Sequence, residues 1–192
     1  MKIINSKIYQ MLTDLANHLV LNMLFLLSIL PVITIGPAIN SLFHVVRDWN
    51  IKKNDDVLVP YLRYFFSSIF SINVLVSILL ILITGMYYIN FTNLLPLNTQ
   101  STLIIVLLMT ISLLLFIGIS INYYLITVIE TNKLKFINIL KKVISYTTLN
   151  IGRTLIYGCL LSLFLLLVRL FPPFIFIINT LLAKIILKIN TI

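Results

Sequence analysis

One cysteine, one tryptophan and five acidic residues are all that a chain of 192 holds of those types. With Cys159 alone, no internal disulfide and no thiolate metal cluster can form, and its setting in "YGCLLSLFLLL" reads as that of a small buried hydrophobe. Metal binding has no spacing of His, Cys, Asp and Glu to rest on. His18 and His44 lack a nearby Glu and read as helix-to-helix hydrogen-bonding groups rather than ligands. There is no GxGxxG, P-loop or GxSxG, so phosphate chemistry and serine hydrolysis have no foothold. Asp48, Asp55 and Asp56 flank a loop and Glu130 closes an apolar run, so no carboxylate pair for acid–base work stands out. The expectation is a non-enzyme without a cofactor.

Charge is scarce too. Charged residues make up 10% of the chain and hydrophobic ones 60%, with a mean hydropathy of +1.12. Soluble domains carry about 25% charged residues. A soluble fold of this size has no way to hide so much apolar surface, so the chain reads as an integral membrane protein. The net charge of +9 would raise nucleic-acid binding in a soluble protein. Here the Lys and Arg sit between apolar runs, as the positive-inside rule requires, and no nucleic-acid partner is expected. "MKIINSKIYQMLTDLANHL" opens with lysines like a signal peptide. Asp14, Asn17 and His18 interrupt it before the apolar run, no small-residue cleavage pattern follows, and it is expected to stay.

About 20 apolar residues cross a bilayer as a helix. Stretches 67–89, 102–126 and 154–171 satisfy this. Stretch 174–189 is shorter, with Lys184 and Lys188 in its last turns, where they can snorkel to the surface. Segment 87–102 has no Lys, Arg, Asp or Glu, whereas 130–153 has Lys133, Lys135, Lys141, Lys142 and Arg153 against Glu130. The first is therefore placed outside and the second inside. Pro172-Pro173 becomes an external turn, and the C-terminus returns to the cytoplasm. Arg169, beside that turn, opposes the trend and is read as snorkelling outward.

"LFLLSILPVITIGPAINSLFHVVRDW" is either one kinked span or two helices. A single span leaves Lys2 and Lys7 outside, against the charge rule. A hairpin over 8–53, turning at Pro31, Thr34, Gly36 and Pro37, brings every lysine inside, and this is the preferred reading. Pro37 suits a helix's first turn, where a missing N–H is harmless, and Gly36 frees the turn before it. The whole is then an all-α polytopic transmembrane bundle of five to six membrane segments, one domain over 1–192, with both termini cytoplasmic at the cell membrane.

Polar positions support the hairpin. Asp14, His18 and Asn22 share one face of the first helix, and Asn40, His44 and Arg47 one face of the second, with Asp48 beside them. Antiparallel packing about residues 33–34 predicts Asn22 near His44, His18 near Asp48 and Asp14 near Lys52. An unpaired charge or amide in hydrocarbon costs several kcal/mol, which such pairing avoids. These seven residues form the expected intramembrane polar cluster. Asn73, Asn122 and Asn150 either glue helices together or line an inward-facing cavity. Segment 133–149 looks amphipathic, with Phe136, Leu140, Val143 and Ile144 opposite its lysines, and is expected to lie along the inner leaflet facing lipid phosphates.

The stretch 21–49, with its Asn-Leu-rich helix, proline, Thr-Ile-Gly-Pro turn and basic-aromatic close, resembles the YesL-like family of bacterial membrane proteins, whose domain has no known function. "YLRYFFSSIFSIN" (61–73) resembles the family's aromatic-basic entry to the next span, without its extra basic residues. Family members tend to be encoded beside carbohydrate ABC importers in Gram-positive bacteria. The resemblance therefore implies an accessory or regulatory role in sugar import or sensing, with permease or sensor subunits and membrane lipids as partners. A stand-alone solute carrier using Asn22, His44, Asn73 and Asn122 is the alternative, and a membrane-embedded enzyme a third.

Overall fold

The computed structural model describes residues 7–52, 56–94, 100–130 and 136–190. Among them are eight α-helices and no strand: α1 (Lys7–Ile29), α2 (Ile35–Lys52), α3 (Leu58–Ile69), α4 (Asn73–Leu94), α5 (Gln100–Ile129), α6 (Phe136–Leu149), α7 (Ile151–Leu170) and α8 (Ile175–Ile189). Five stretches are long and apolar enough to cross a membrane: Ile8–Ile29, Asn73–Asn90, Ile104–Ile129, Ile151–Leu170 and Pro172–Ile189. Helix α2 is absent from that set, since Arg47, Asp48 and Lys52 all lie within its 18 residues. Its 18 residues still reach about 27 Å, and most are buried, Ala38, Leu42, Phe43, Val45 and Val46 among them. Protein rather than lipid covers α2, since α1, α3 and α8 all pack on it. A helix too polar for hydrocarbon is thereby sheltered.

The chain divides into two compact units, one made of Met1–Val74 and Leu163–Ile192 and the other of Leu75–Ser162. In the first unit α1 and α2 are joined by a 3-10 turn at Val32–Thr34. A helix end leaves carbonyls without partners. Thr34 answers this with its side chain, whose Oγ1 lies within hydrogen-bonding reach of the carbonyls of Ser28 and Pro31, while its backbone N–H donates to Pro31 O at 2.7 Å. Gly36 and Pro37 are buried in the first turn of α2. Helix α3 packs on both α1 and α2, and α8 does the same from the other end of the sequence.

The expected span 67–89 begins instead at Asn73. The apolar run is continuous through Phe70 and Ile72, but Ser71 interrupts the backbone: its hydroxyl donates to Ser68 O at 2.6 Å and accepts the Asn73 N–H at 3.3 Å, ending α3 and capping α4. The other apolar stretches shift by a few residues at their ends. Lys53, Asp55, Lys133 and Lys135 lie outside the described residues.

In the second unit α5 and α7 approach at two glycines. A Cβ built on Gly118 would stand 2.2 Å from Thr154 O, and one on Gly158 2.5 Å from Leu114 O. Only residues without a side chain let two helix backbones come this close. Beside that contact Asn122 donates to Thr154 Oγ1 at 2.9 Å and Thr147 Oγ1 at 3.2 Å, tying α5 to both α7 and α6. Tyr87 OH of α4 meets Ser112 Oγ of α5 at 3.0 Å. Cys159 is exposed, contrary to the expected burial, because the side of α7 that packs on α5 is defined by Thr154, Tyr157 and Gly158.

Candidate functional site

The polar residues of the first unit lie on α1, α2, α3, α8 and the start of α4, in three groups. The first joins α1 to α8. Asn22, with no exposed surface, donates to Thr180 Oγ1 at 2.8 Å and to His18 O at 2.8 Å, and its Oδ1 accepts the Thr180 N–H at 3.3 Å. His18 Nδ1 lies 3.0 Å from the same Thr180 hydroxyl. That hydroxyl has a single proton and also approaches Ile177 O at 3.0 Å. With the proton directed there, His18 donates from Nδ1. The charges of Lys184 on α8 and Asp14 on α1 both reach the His18 ring.

The second group joins α2 to α3. Arg47 Nη2 and Asp48 Oδ1 are 3.1 Å apart, with side chains only 10% and 12% exposed. Asp48 Oδ2 accepts the Tyr64 hydroxyl at 2.7 Å, and the Tyr64 ring stacks on His44 with centroids 4.5 Å apart. A buried carboxylate thus has an opposite charge on one oxygen and a phenol on the other, which is what a charge removed from water requires. Trp49, next to Asp48 on α2, reaches the first group: its indole meets the His18 ring edge-on at 5.2 Å, and its Nε1 donates to Asp56 O at 3.4 Å. In the third group Asn40 and Asn73 donate to Ser68 Oγ at 3.2 and 2.7 Å, clasping the far end of α3.

The seven residues picked from the sequence are therefore placed as follows. His18 and Asn22 stand together, His44, Arg47 and Asp48 form a second group with Tyr64, Asn40 joins Ser68, and Asp14 is exposed. The hydrogen bonds differ from the expected pairing: Asn22 bonds to Thr180 and His18 rather than to His44, while the His18 ring meets Thr180 and Trp49, the residue next to the expected Asp48. The side chain of Lys52, expected near Asp14, lies outside the described residues. A two-helix register has only α1 and α2 to draw on, whereas Thr180, Tyr64 and Ser68 bring hydroxyls from α8 and α3. Thr180 lies in the last apolar stretch, 174–189, and Tyr64 in the aromatic-basic stretch 61–73, and neither was singled out in the sequence.

Elsewhere, Glu130 pairs with Lys142, and the Asn150 amide donates to Tyr146 O at 3.2 Å. Arg169 is exposed in the last turn of α7.

The fold and its five apolar helices define a multi-pass helical membrane protein. Residues 18–91 match the model of a family described as proteins of unknown function, DUF624. This match holds α2, α3 and most of α1 and α4, and so every member of the polar layer except Asp14, Thr180 and Lys184. No curated protein and no solved structure matches the chain.

Proposed function

We propose that this is a non-enzymatic member of the YesL-like family, seated in a bacterial cell membrane with both termini cytoplasmic, and that it serves a carbohydrate ABC importer or its sensing system as an accessory or regulatory subunit. The observation that carries the non-enzymatic part is how the buried polar groups are used. Asn22, Asn40, Asn73, Asp48 and Tyr64 bond across helices to one another or to serine and threonine hydroxyls, which is the pattern of interhelical cohesion. The outward faces of α1, α4, α5 and α7 are broadly apolar, with Leu27, Leu82, Leu107 and Leu165 among the exposed side chains. Such faces suit contact with lipid or with other membrane helices. The match over residues 18–91 supports the family reading, and the sugar-import role rests on the resemblance.

The test is purification of the tagged protein from its own membranes in a mild detergent, followed by identification of what accompanies it. Permease subunits of a sugar importer in stoichiometric yield are the expected result. Recovery of the protein alone, with solute uptake by proteoliposomes containing nothing else, overturns the proposal in favour of a carrier.

A further inference from the structure

The helix α6 presents three distinct sides. Along one, Val143 is buried and Phe136, Ile139, Tyr146 and Thr147 are half-buried, at the i, i+3, i+7 spacing of a face packed on another helix. That other helix is α5. A second side carries Asn138, Lys141, Lys142 and Ser145, all exposed. The third is apolar and uncovered: Ile137 is 64% exposed, Ile144 63% and Leu140 38%. Packing on α5 thus accounts for one apolar side and leaves another.

Two features say what covers it. Helix α6 lies in sequence between α5 and α7, both apolar enough to cross the bilayer, and Asn150 alone separates α6 from α7. Helical bonding runs up to and on from that residue, the Asn150 N–H donating to Tyr146 O and the Thr154 N–H to Asn150 O, both at 3.0 Å. So α6 sits at a bilayer boundary. Its charge is all of one sign. Lys142 is occupied by Glu130, whereas Lys141 and Arg153, both exposed, have no anionic partner among the described residues. A helix with an uncovered apolar stripe beside unpaired cations is built to lie where acyl chains meet phosphates.

We infer that α6 and the start of α7 form a docking surface for anionic phospholipid, in which Lys141 and Arg153 engage headgroup phosphates while Ile137, Leu140 and Ile144 enter the acyl region. This stands apart from any role in sugar import, since it concerns lipid on the second unit and not a protein partner.

The full-length protein, reconstituted in phosphatidylcholine, is probed with spin-labelled phosphatidylglycerol and spin-labelled phosphatidylcholine, and the relative association of each with the protein is read from the motionally restricted signal. The wild type is expected to prefer phosphatidylglycerol. Each basic group near an anionic surface contributes about fivefold, so K141Q/R153Q loses most of that preference, while K184Q/K188Q on α8 keeps it. In a second measurement, a nitroxide at position 144 is relaxed more by dissolved oxygen than by an aqueous nickel chelate, and one at 145 the reverse. No wild-type preference, a preference unchanged in K141Q/R153Q, equal loss in both double variants, or a nitroxide at 144 governed by the aqueous relaxant each overturns the inference.

Discussion

Asn22 and Thr180, 158 residues apart in the chain, exchange two hydrogen bonds across the contact between α1 and α8, one from the Asn22 amide to the Thr180 hydroxyl and one from the Thr180 N–H to the Asn22 carbonyl. In a bilayer the hydrophobic effect does little to hold two helices together, so van der Waals packing and such bonds are what remain. A double-mutant cycle of Asn22→Ala and Thr180→Val is expected to give a coupling of about 0.6–1.7 kcal/mol. Unfolding in mixed micelles measures it. In a Cys159→Ser background, cysteines at 22 and 180 should crosslink far more readily than cysteines at 22 and 44. The reverse order would restore the register predicted from α1 and α2 alone.

The ion pair of Arg47 and Asp48 makes an asymmetric prediction. Asp48→Leu takes the carboxylate away from a guanidinium that is only 10% exposed, at an expected cost of about 3–5 kcal/mol. Tyr64→Phe removes one bond to a carboxylate and should cost about 1.5–3 kcal/mol. The double variant Arg47→Met/Asp48→Leu, having no stranded charge, should recover much of the loss. Thermal unfolding of the three purified variants in detergent separates them. A double variant as unstable as Asp48→Leu would mean that the two charges do not depend on each other.

Glycines separate into two classes by what surrounds them. Gly118→Ala and Gly158→Ala place a methyl within 2.2 and 2.5 Å of backbone carbonyl oxygens, which cannot swing aside as a side chain would. Each is expected to destabilise by about 1–3 kcal/mol or more. Around Gly85 and Gly152 nothing lies within 4 Å of an added Cβ, so their alanine variants should be neutral or more stable by about 0.4–1 kcal/mol. The comparison uses one assay, heat-induced aggregation in detergent. If all four behaved alike, the close crossing of α5 and α7 would be wrong.

Trp49 is the sole tryptophan, and its indole stands edge-on to His18. Imidazolium quenches indole emission on contact, so acidification that protonates His18 is expected to lower the intrinsic fluorescence. His18→Gln should abolish the pH-dependent part. Persistence of the same titration in that variant would place another group beside the indole.

The apolar helices were legible in the sequence because hydrocarbon imposes a simple demand: a span must be predominantly apolar, with its few charges mostly near the ends. The turn at Pro31–Thr34 was legible for a similar reason, since proline and glycine restrict what the backbone can do. Partner choice was not. Which hydroxyl satisfies Asn22 depends on how α8 comes to lie beside α1, and that follows from packing among residues far apart in sequence. The break at Ser71 escaped for a different reason: hydropathy is blind to a serine that turns its hydroxyl onto the backbone. The exposure of Cys159 likewise depends on which side of α7 faces α5, something a uniformly apolar run does not encode.

The tie between α1 and α8 also has a consequence in time. Synthesis at about 5–20 residues per second separates Asn22 from Thr180 by roughly ten to thirty seconds. Throughout that interval Asn22 and His18 lack the Thr180 hydroxyl, with only the His18 carbonyl on α1 and the Trp49 ring on α2 as the partners already made. Truncation before Thr180 should therefore leave α1 without this tie, and faster degradation of the shortened chain by membrane proteases is the expected outcome.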